Sequence, residues 1–213
     1  MRSDTETPPW AETIHLLAER WKDAGILLPA FPLLARGQPL TVEEISQASG
    51  ASVAAVEQAL AAGRCERDAD GRLIDLFGLT LTPTVHRLEI DRKILFSCCA
   101  LWAHVIPRLV EQDLRVESVD PHTRELVRLH VGAEGVISVQ PEVAMATLAV
   151  SSPEAVRSDV CEAFCCQVRH FVSEASAREF AAQNPRRLVV SIDELQDSAE
   201  QLFGQIWRAA GAK

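Results

Sequence analysis

Two pairs of adjacent cysteines are the residues of this sequence best suited to chemistry. Cys98-Cys99 lies in the segment ILFSCCALW and Cys165-Cys166 lies in EAFCCQVRHF, and both segments are apolar enough to pack in a core. Free cysteine is often buried as a small apolar residue, so one such pair would mean little. Two pairs favour a sulfur-based site, because thiolates are soft ligands that select soft metals over calcium or magnesium.

The spacing of these cysteines argues against a structural zinc site. Zinc knuckles place their cysteines about two to four residues apart and combine two such halves. Cys161 and Cys165 have a permitted spacing, but the sequence holds no second matching half. Adjacent cysteines also bridge each other poorly because the ring is strained. We therefore expect reduced thiols that are free to bind a metal or to react.

We expect one thiol from each pair to face a shared pocket. The segment Phe164–Val172 is predicted to form a strand, and a strand sends adjacent side chains to opposite faces. Only one of Cys165 and Cys166 could then face the pocket. The same is expected of Cys98 and Cys99, which lie at a predicted strand-to-helix junction. Two thiolates held across a water-poor cleft suit a soft cation, with mercury(II) as the extreme case.

Residues 39–82 are predicted to form a compact winged-helix-like module. Thr41 followed by Glu44 is the signature of a capping box at the start of a helix. Ser52 is expected to cap a second helix, and residues 65–75 are predicted to form a hairpin. Helix, turn, helix and hairpin together are typical of a winged helix.

From residue 83 onward the pattern changes to strands with flanking helices. The apolar and polar residues alternate in His86–Ile90, which predicts a half-buried strand. Further strands are predicted at Leu114–Val119, Leu126–Val131, Val143–Val150 and Leu188–Ile192. Helices are predicted at Cys99–Leu109, Ala155–Glu162, from a Ser176 cap to Gln183, and at Asp193–Ala210. We therefore predict an α+β fold, with N-terminal helices and a degenerate winged helix in residues 1–82 and a mixed, mainly antiparallel sheet with flanking helices in residues 83–213.

The charge balance disfavours nucleic acids and membranes as partners. The formal net charge is −9, and a nucleic-acid binder needs a basic face to displace counterions. The predicted recognition helix, SVAAVEQALAAG, contains Glu57 and no Lys or Arg. No apolar run approaches the length of a membrane span, and MRSDTETPPW lacks the regions of a signal peptide. We expect a cytoplasmic protein whose thiols stay reduced.

The sequence resembles the alkylmercury lyase family. The resemblance covers most of the chain and rests on LFGLTLTPTVHRLEID, CALW and SDVCEAFCCQVRHF, in that order. It implies that Cys99 and Cys165 bind mercury and act in catalysis, while Cys98 and Cys166 line the pocket. It also implies protonolysis of a carbon–mercury bond in a small organometallic substrate. Mercury would then be substrate and product, no resident cofactor would be needed, and cellular thiols would be partners.

The sequence departs from the family pattern at Trp102. The family has an aspartate there, three residues after the first cysteine, that relays the proton. An indole N–H does not ionise in the relevant range, so Trp102 is expected to line or cap the pocket instead. Three functions stay open: a lyase in which a thiol supplies the proton, a soft-metal or organometal binding protein without catalysis, or the same fold reused for another substrate.

Three other residues have alternative roles. Arg169 is expected to share the face of Cys165, where it would lower a thiol pKa or simply form a surface salt bridge. His104 is expected to be packed or at the surface. Cys161 is expected to be inert or to serve as a third soft ligand.

Overall fold

We describe residues 8–20, 24–63 and 65–210 of a computed structural model of the chain. The α-helices are α1 (Ala11–Arg20), α2 (Phe31–Leu34), α3 (Val42–Ser49), α4 (Val53–Gly63), α5 (Ala100–Val110), α6 (Pro153–Ser158), α7 (Val160–Ala163), α8 (Glu174–Ala182) and α9 (Ile192–Ala209). The strands are β1 (Asp75–Leu76), β2 (Leu79–Thr80), β3 (His86–Ile90), β4 (Lys93–Ser97), β5 (Leu114–Val119), β6 (Leu126–Gly132), β7 (Gly135–Gln140), β8 (Met145–Ala149), β9 (His170–Phe171) and β10 (Arg187–Ser191). Single 3₁₀ turns occur at Ala24–Ile26, Leu28–Ala30 and Cys165–Gln167.

The strands form two antiparallel sheets. The larger sheet has the order β1-β2-β4-β3-β5-β6-β7, and the smaller has the order β10-β8-β9. In β3, residues His86, Leu88 and Ile90 are buried while the residues between them are partly exposed, as the alternating pattern predicts. The predicted α+β fold with a mainly antiparallel sheet is confirmed.

The predicted helix caps in the N-terminal module are confirmed. The Thr41 side chain accepts a hydrogen bond from the backbone N–H of Glu44, and the Glu44 carboxylate accepts one from the backbone N–H of Thr41. Ser52 accepts a hydrogen bond from the backbone N–H of Ala55 at the start of α4. Each cap satisfies backbone donors that the first turn of a helix leaves without an intrahelical partner.

Helix α5 is the centre of the core and fixes the position of the first cysteine pair. Every residue of α5 except Arg108 is buried. The helix packs against α9 on one side and against strands of the larger sheet on the other. Because Cys98 and Cys99 lie between β4 and α5, the packing of both elements determines where their sulfurs lie.

The prediction of a strand over Phe164–Val172 is wrong. Asp159 ends α6 and caps α7, accepting hydrogen bonds from the backbone N–H groups of Cys161 and Glu162. The chain then continues through the 3₁₀ turn at Cys165–Gln167, and only His170–Phe171 is extended. The same cap divides the helix that was predicted as one piece over Ala155–Glu162.

The predicted cap of α8 is also wrong. Ser173, not Ser176, caps this helix, accepting a hydrogen bond from the backbone N–H of Ser176. The hydroxyl of Ser176 donates instead to the buried Asp120 carboxylate. Sequence alone does not distinguish the two serines, because the contact with Asp120 is tertiary.

No helix within the described residues is both long and apolar enough to cross a bilayer. The division of the chain at residue 82 stays a prediction.

Candidate functional site

Backbone hydrogen bonds join the three segments that form the site. The N–H of Cys98 donates to the carbonyl of Gly78 at 2.9 Å, which ties the β4–α5 junction to the turn between β1 and β2. The N–H of Ala100 donates to the carbonyl of Val168 at 3.1 Å. This bond ties the start of α5 to the segment that carries Cys165. The positions of the cysteine sulfurs are therefore set by backbone contacts rather than by the side chains alone.

The structure brings together the sulfurs of Cys98, Cys99 and Cys165, which all lie within 4.8 Å of one another. The thiol of Cys98 donates a hydrogen bond to the Cys165 sulfur at 3.7 Å. Cys99 is fully buried, Cys165 is 7% exposed, and Cys98 is partly exposed. The expectation that only one residue of the first pair would face the second pair is wrong, because both do.

Cys166 lies apart from this thiol cluster, which we define as Cys98, Cys99 and Cys165. Its sulfur lies 3.3 Å from that of Cys161. The cavity beside the cluster has a volume of about 240 Å³ and is lined by Cys98, Cys165 and Cys161, but neither by Cys166 nor by the fully buried Cys99. Cys166 lines a different cavity, together with Arg169. The structure thus exchanges the expected roles of the two: Cys161 reaches the cavity and Cys166 does not.

The three thiols of the cluster differ in acidity. Burial opposes ionisation of Cys99, but hydrogen bonds from Cys165 and Cys98, the backbone N–H of Trp102 and the positive charge of Arg169 hold its pKa well below the usual range. The pKa of Cys98 is raised because its thiol donates to Cys165 and Cys99 and because it is desolvated. Although the hydrogen bond from Cys98 opposes the shift, the bond to Cys99 and burial raise the pKa of Cys165. Cys99, directly before the first turn of α5, is therefore the most acidic thiol of the cluster.

Trp102 lines the cavity, and Gly78 makes room for it. Trp102 is 4% exposed and belongs to the first turn of α5. The indole lies so close to Gly78 that a Cβ atom on this residue would overlap the ring. Gly78 also has a φ of +88°, a conformation that side chains disfavour. The indole therefore forms a wall of the cavity at the position of the family's aspartate.

A chain of buried polar side chains begins at Arg169 and runs behind the thiol cluster. The guanidinium of Arg169 lies 3.3 Å from Nε2 of His86. Nδ1 of His86 lies 2.8 Å from Oγ of Ser118, and that oxygen lies 2.9 Å from Nδ1 of His170. All of these residues except Arg169 are completely buried.

The chain continues from His170 into α5 and ends on α9. Nε2 of His170 lies 3.2 Å from Nε2 of His104, and Nδ1 of His104 lies 2.8 Å from Oε1 of Gln196. Arginine only donates hydrogen bonds, which makes His86 an acceptor at Nε2 and a donor at Nδ1. His170 and His104 likewise each accept a hydrogen bond at one ring nitrogen and donate one from the other, and the last bond ends on the Gln196 side-chain carbonyl. When all three imidazole rings are neutral, each hydrogen-bond donor in this chain of side chains meets an acceptor.

The acidities of the three histidines agree with neutral rings. Burial lowers the pKa of His86 to about 3 and that of His104 to about 4, and it lowers the pKa of His170 well below its usual value. We call Arg169, His86, Ser118, His170, His104 and Gln196 the histidine chain. Its structural consequence is that Arg169, whose charge lowers the pKa of Cys99, is held by a buried partner instead of extending into solvent.

Several of these residues have little signal in the sequence. The alternation of β3 predicts that His86 is buried, but it does not show that His170 and His104 belong to the same chain. Asp75 also lines the cavity. Its one signal is an acidic residue between the apolar Ile74 and Leu76.

Comparison with known proteins agrees with the resemblance. The family model described as alkylmercury lyase matches residues 79–204, and that described as the helix-turn-helix domain of alkylmercury lyase matches residues 18–77. An alkylmercury lyase from Staphylococcus epidermidis is 35% identical over 167 residues, covering 78% of this chain and 76% of the relative. An alkylmercury lyase from Streptomyces lividans is 35% identical over 165 residues, covering 77% of this chain and 75% of the relative.

The fold also matches a solved structure, the crystal structure of the mercury-bound form of MerB2. The TM-score is 0.73, the identity is 17%, and the match covers 92% of this chain and 98% of that chain. At this identity the match supports the fold alone. The family models and the relatives show more: the chain belongs to the alkylmercury lyase family.

Proposed function

We propose that the protein cleaves carbon–mercury bonds of organomercurials by protonolysis. The observation that carries this proposal is the thiol cluster, with sulfurs within 4.8 Å of one another beside a cavity, in a chain of the alkylmercury lyase family. Soft thiolates bind mercury in preference to harder cations. A cavity of about 240 Å³ leaves space for a small organic group next to the metal.

Cys99 and Cys165 are the proposed ligands, and mercury enters as part of the substrate. Cys99 loses its proton most readily of the three thiols, because its pKa is lowered, and binds R–Hg⁺ as a thiolate. Cys165 binds next and loses its proton as mercury replaces it, since a metal acidifies a coordinating thiol. Cys98 lies beside both as a third sulfur. In this proposal no resident cofactor takes part.

Bond cleavage follows from the two thiolate ligands. They place electron density on the mercury and make the bound carbon more basic, so that a general acid can protonate it. The products are a hydrocarbon, RH, and mercury(II) held by two sulfurs. Cellular thiols in a reducing cytoplasm then remove the mercury(II), and nucleic acid has no part in the proposed reaction.

The test is turnover in the presence of excess thiol. The purified protein is incubated with an organomercurial and a small monothiol, and the released hydrocarbon is measured by gas chromatography. We expect hydrocarbon from the unaltered protein and none from Cys99→Ser or Cys165→Ser. Cys65→Ser removes a thiol that does not line the cavity and serves as the matched control.

A second function, binding without cleavage, is favoured by Trp102, which fills the place of the family's aspartate with a group that cannot ionise. Mercury retained by the protein without any released hydrocarbon would establish this function and reject the lyase proposal.

A further inference from the structure

The cavity beside the thiol cluster contains a carboxyl group that the family pattern does not assign. Asp75, on β1, lines the same cavity as Cys98, Cys165 and Trp102. Cleavage of each carbon–mercury bond consumes one proton, and the indole of Trp102 cannot supply it. A proton donor must therefore come from another element that reaches this cavity.

Asp75 is the carboxyl of the cavity best suited to hold a proton. Burial raises its pKa to about 7, and the negative charge of Glu66 adds to this effect. Among the described residues, none forms a hydrogen bond or an ion pair with its carboxyl group. Asp159 also lines the cavity, but its carboxylate accepts hydrogen bonds at the start of α7. Glu66 also lines the cavity but is exposed.

The other ionisable groups near Asp75 do not compete with this role. Cys65, on the preceding hairpin, remains a thiol because burial raises its pKa to about 12. The thiols of Cys98 and Cys165 have raised pKa values as well. Before the substrate binds, the protonated thiols of Cys65, Cys98 and Cys165 add no negative charge beside Asp75, so its carboxyl group can hold a proton near neutral pH.

We infer that Asp75 is the general acid that protonates the carbon released from mercury; this inference rests on the proposed function. As the carbon–mercury bond breaks, its electron pair takes the proton from the Asp75 carboxyl group and forms the new C–H bond. Mercury(II) stays with the two thiolates, and Asp75 becomes a carboxylate. The proton lost by the second thiol on binding mercury, or one from water near Glu66, restores the acid for the next turnover.

The first test is Asp75→Asn, with two separate measurements. We expect hydrocarbon release to fall by about 10²–10⁴-fold, the usual contribution of a general acid. We expect the amount of mercury(II) bound per chain to stay the same, because the sulfurs remain. Asp75→Glu should recover part of the turnover. Asp197→Asn, which changes an exposed aspartate on α9, is the matched control and should leave turnover unchanged.

The second test is the pH profile of the unaltered protein, which does not depend on how the variants fold. A general acid must be protonated, so turnover should fall as pH rises through about 7. Turnover that stays level from pH 6 to 8, or Asp75→Asn with full turnover, would overturn the inference. Absence of hydrocarbon from the unaltered protein would instead reject the proposed function.

A second inference rests on a different observation, the outer thiol pair of Cys161 and Cys166. Their sulfurs lie 3.3 Å apart, and Cys161 is exposed at the cavity that also contains Cys165. Both are free thiols, and partial desolvation together with the neighbouring Cys166 raises the pKa of Cys161 to about 12. Two neighbouring sulfurs are the kind of ligand pair that a soft metal ion prefers.

We propose that the outer thiol pair binds mercury(II) as it leaves the thiol cluster. Mercury(II) forms bonds to both sulfurs and displaces their two protons, while the thiolates of the cluster take up protons. The site therefore receives the product of the first site before external thiols remove it.

The test uses mercury(II) alone and is independent of bond cleavage. With excess glutathione present, which competes with isolated cysteines, native mass spectrometry should find two mercury ions per chain. Two double variants, Cys161→Ser/Cys166→Ser and Cys99→Ser/Cys165→Ser, should each bind one mercury ion per chain, because each keeps one of the two sites. One mercury ion on the unaltered protein, with Cys161 still open to alkylation, would overturn the proposal.

Discussion

The thiol cluster and the histidine chain are both polar, both largely buried and connected through Arg169, yet they are built in opposite ways. In the histidine chain every donor meets an acceptor when the rings are neutral. In the thiol cluster the Cys98 thiol lies 3.7 Å from the Cys165 sulfur, and the pKa of Cys99 is lowered while those of Cys98 and Cys165 are raised. The cluster also opens onto a cavity, whereas the three histidine rings are fully buried.

This difference shows how burial alone fails to identify a reactive site. Buried polar groups that satisfy one another stabilise a single conformation. Groups that keep bonding capacity unused beside an open space can bind a ligand. The two clusters should therefore respond differently to substitution: the thiols through turnover and the histidines through stability.

The largest expected effect is the loss of turnover in Cys99→Ser, which distinguishes the thiol cluster from the histidine chain. Cys99→Ser removes the thiolate, so turnover should fall by about 10³-fold or more, since serine neither ionises nor binds mercury comparably. Its free energy of unfolding should change by about 1 kcal/mol or less, because the change is nearly isosteric. Hydrocarbon release and urea unfolding measure the two quantities. If Cys99→Ser lowered the free energy of unfolding by several kcal/mol, the thiol cluster would be structural in the same way as the histidine chain.

Acid should destabilise the fold through the histidine chain. In the folded protein His86 and His104 have pKa values of about 3 and 4, below the ordinary value of 6.5. The unfolded chain therefore binds more protons below pH 6.5. Stability should be fully present above that pH and fall by about 1.4 kcal/mol per pH unit for each such histidine as pH drops toward 4.

Urea unfolding at pH 7, 6 and 5 measures this slope. His104→Gln should reduce this slope by the contribution of one histidine. A stability that does not depend on pH in this range would contradict the assignment of neutral rings.

Trp102→Asp tests the role of the indole as a wall of the cavity beside the thiol cluster. The indole is almost completely buried, so replacing it with a small carboxyl leaves a void and should cost about 3 kcal/mol of stability. Turnover should not rise, because Asp75 already supplies the proton. Trp102→Phe keeps most of the volume and is the control. Higher turnover in Trp102→Asp would show that an acid was missing and would count against Asp75.

The smallest expected effect lies where the two clusters meet. Arg169→Gln removes a charge that lowers the pKa of Cys99, so kcat/KM near neutral pH should fall. His86→Gln should have a weaker effect of the same kind, because it only loosens Arg169. Arg186→Gln, an exposed arginine, is the control. Equal turnover in all of these variants would show that the histidine chain does not act on the thiols.

The sequence was most informative where structure is local. The capping box of Thr41 and Glu44 and the alternation in β3 follow from contacts within a few residues, and both were predicted correctly. The segment Phe164–Val172 was misjudged because the Asp159 cap and the contacts with β8 override its apolar pattern. Thr147 accepts the N–H of Arg169 and donates to the carbonyl of Gln167, which fixes this irregular path.

The composition of the candidate site was only partly accessible from the sequence. Cys99 and Cys165 follow from the resemblance, and the structure brings their sulfurs together. Asp75 and Gly78 come from a turn about 20 residues before Cys99, and no pattern in the sequence connects that turn to the cysteines. Their place at the cavity depends on the pairing of β2 with β4.

The close fit of Gly78 and Trp102 limits the order in which such a pocket can arise. With any side chain at residue 78, the indole would have no space, so the glycine must be present before the tryptophan. A change at residue 102 is easier to accommodate, since an aspartate there fits beside Gly78. Residue 78 can therefore be only glycine while the indole is present, whereas residue 102 accepts a smaller side chain beside that glycine.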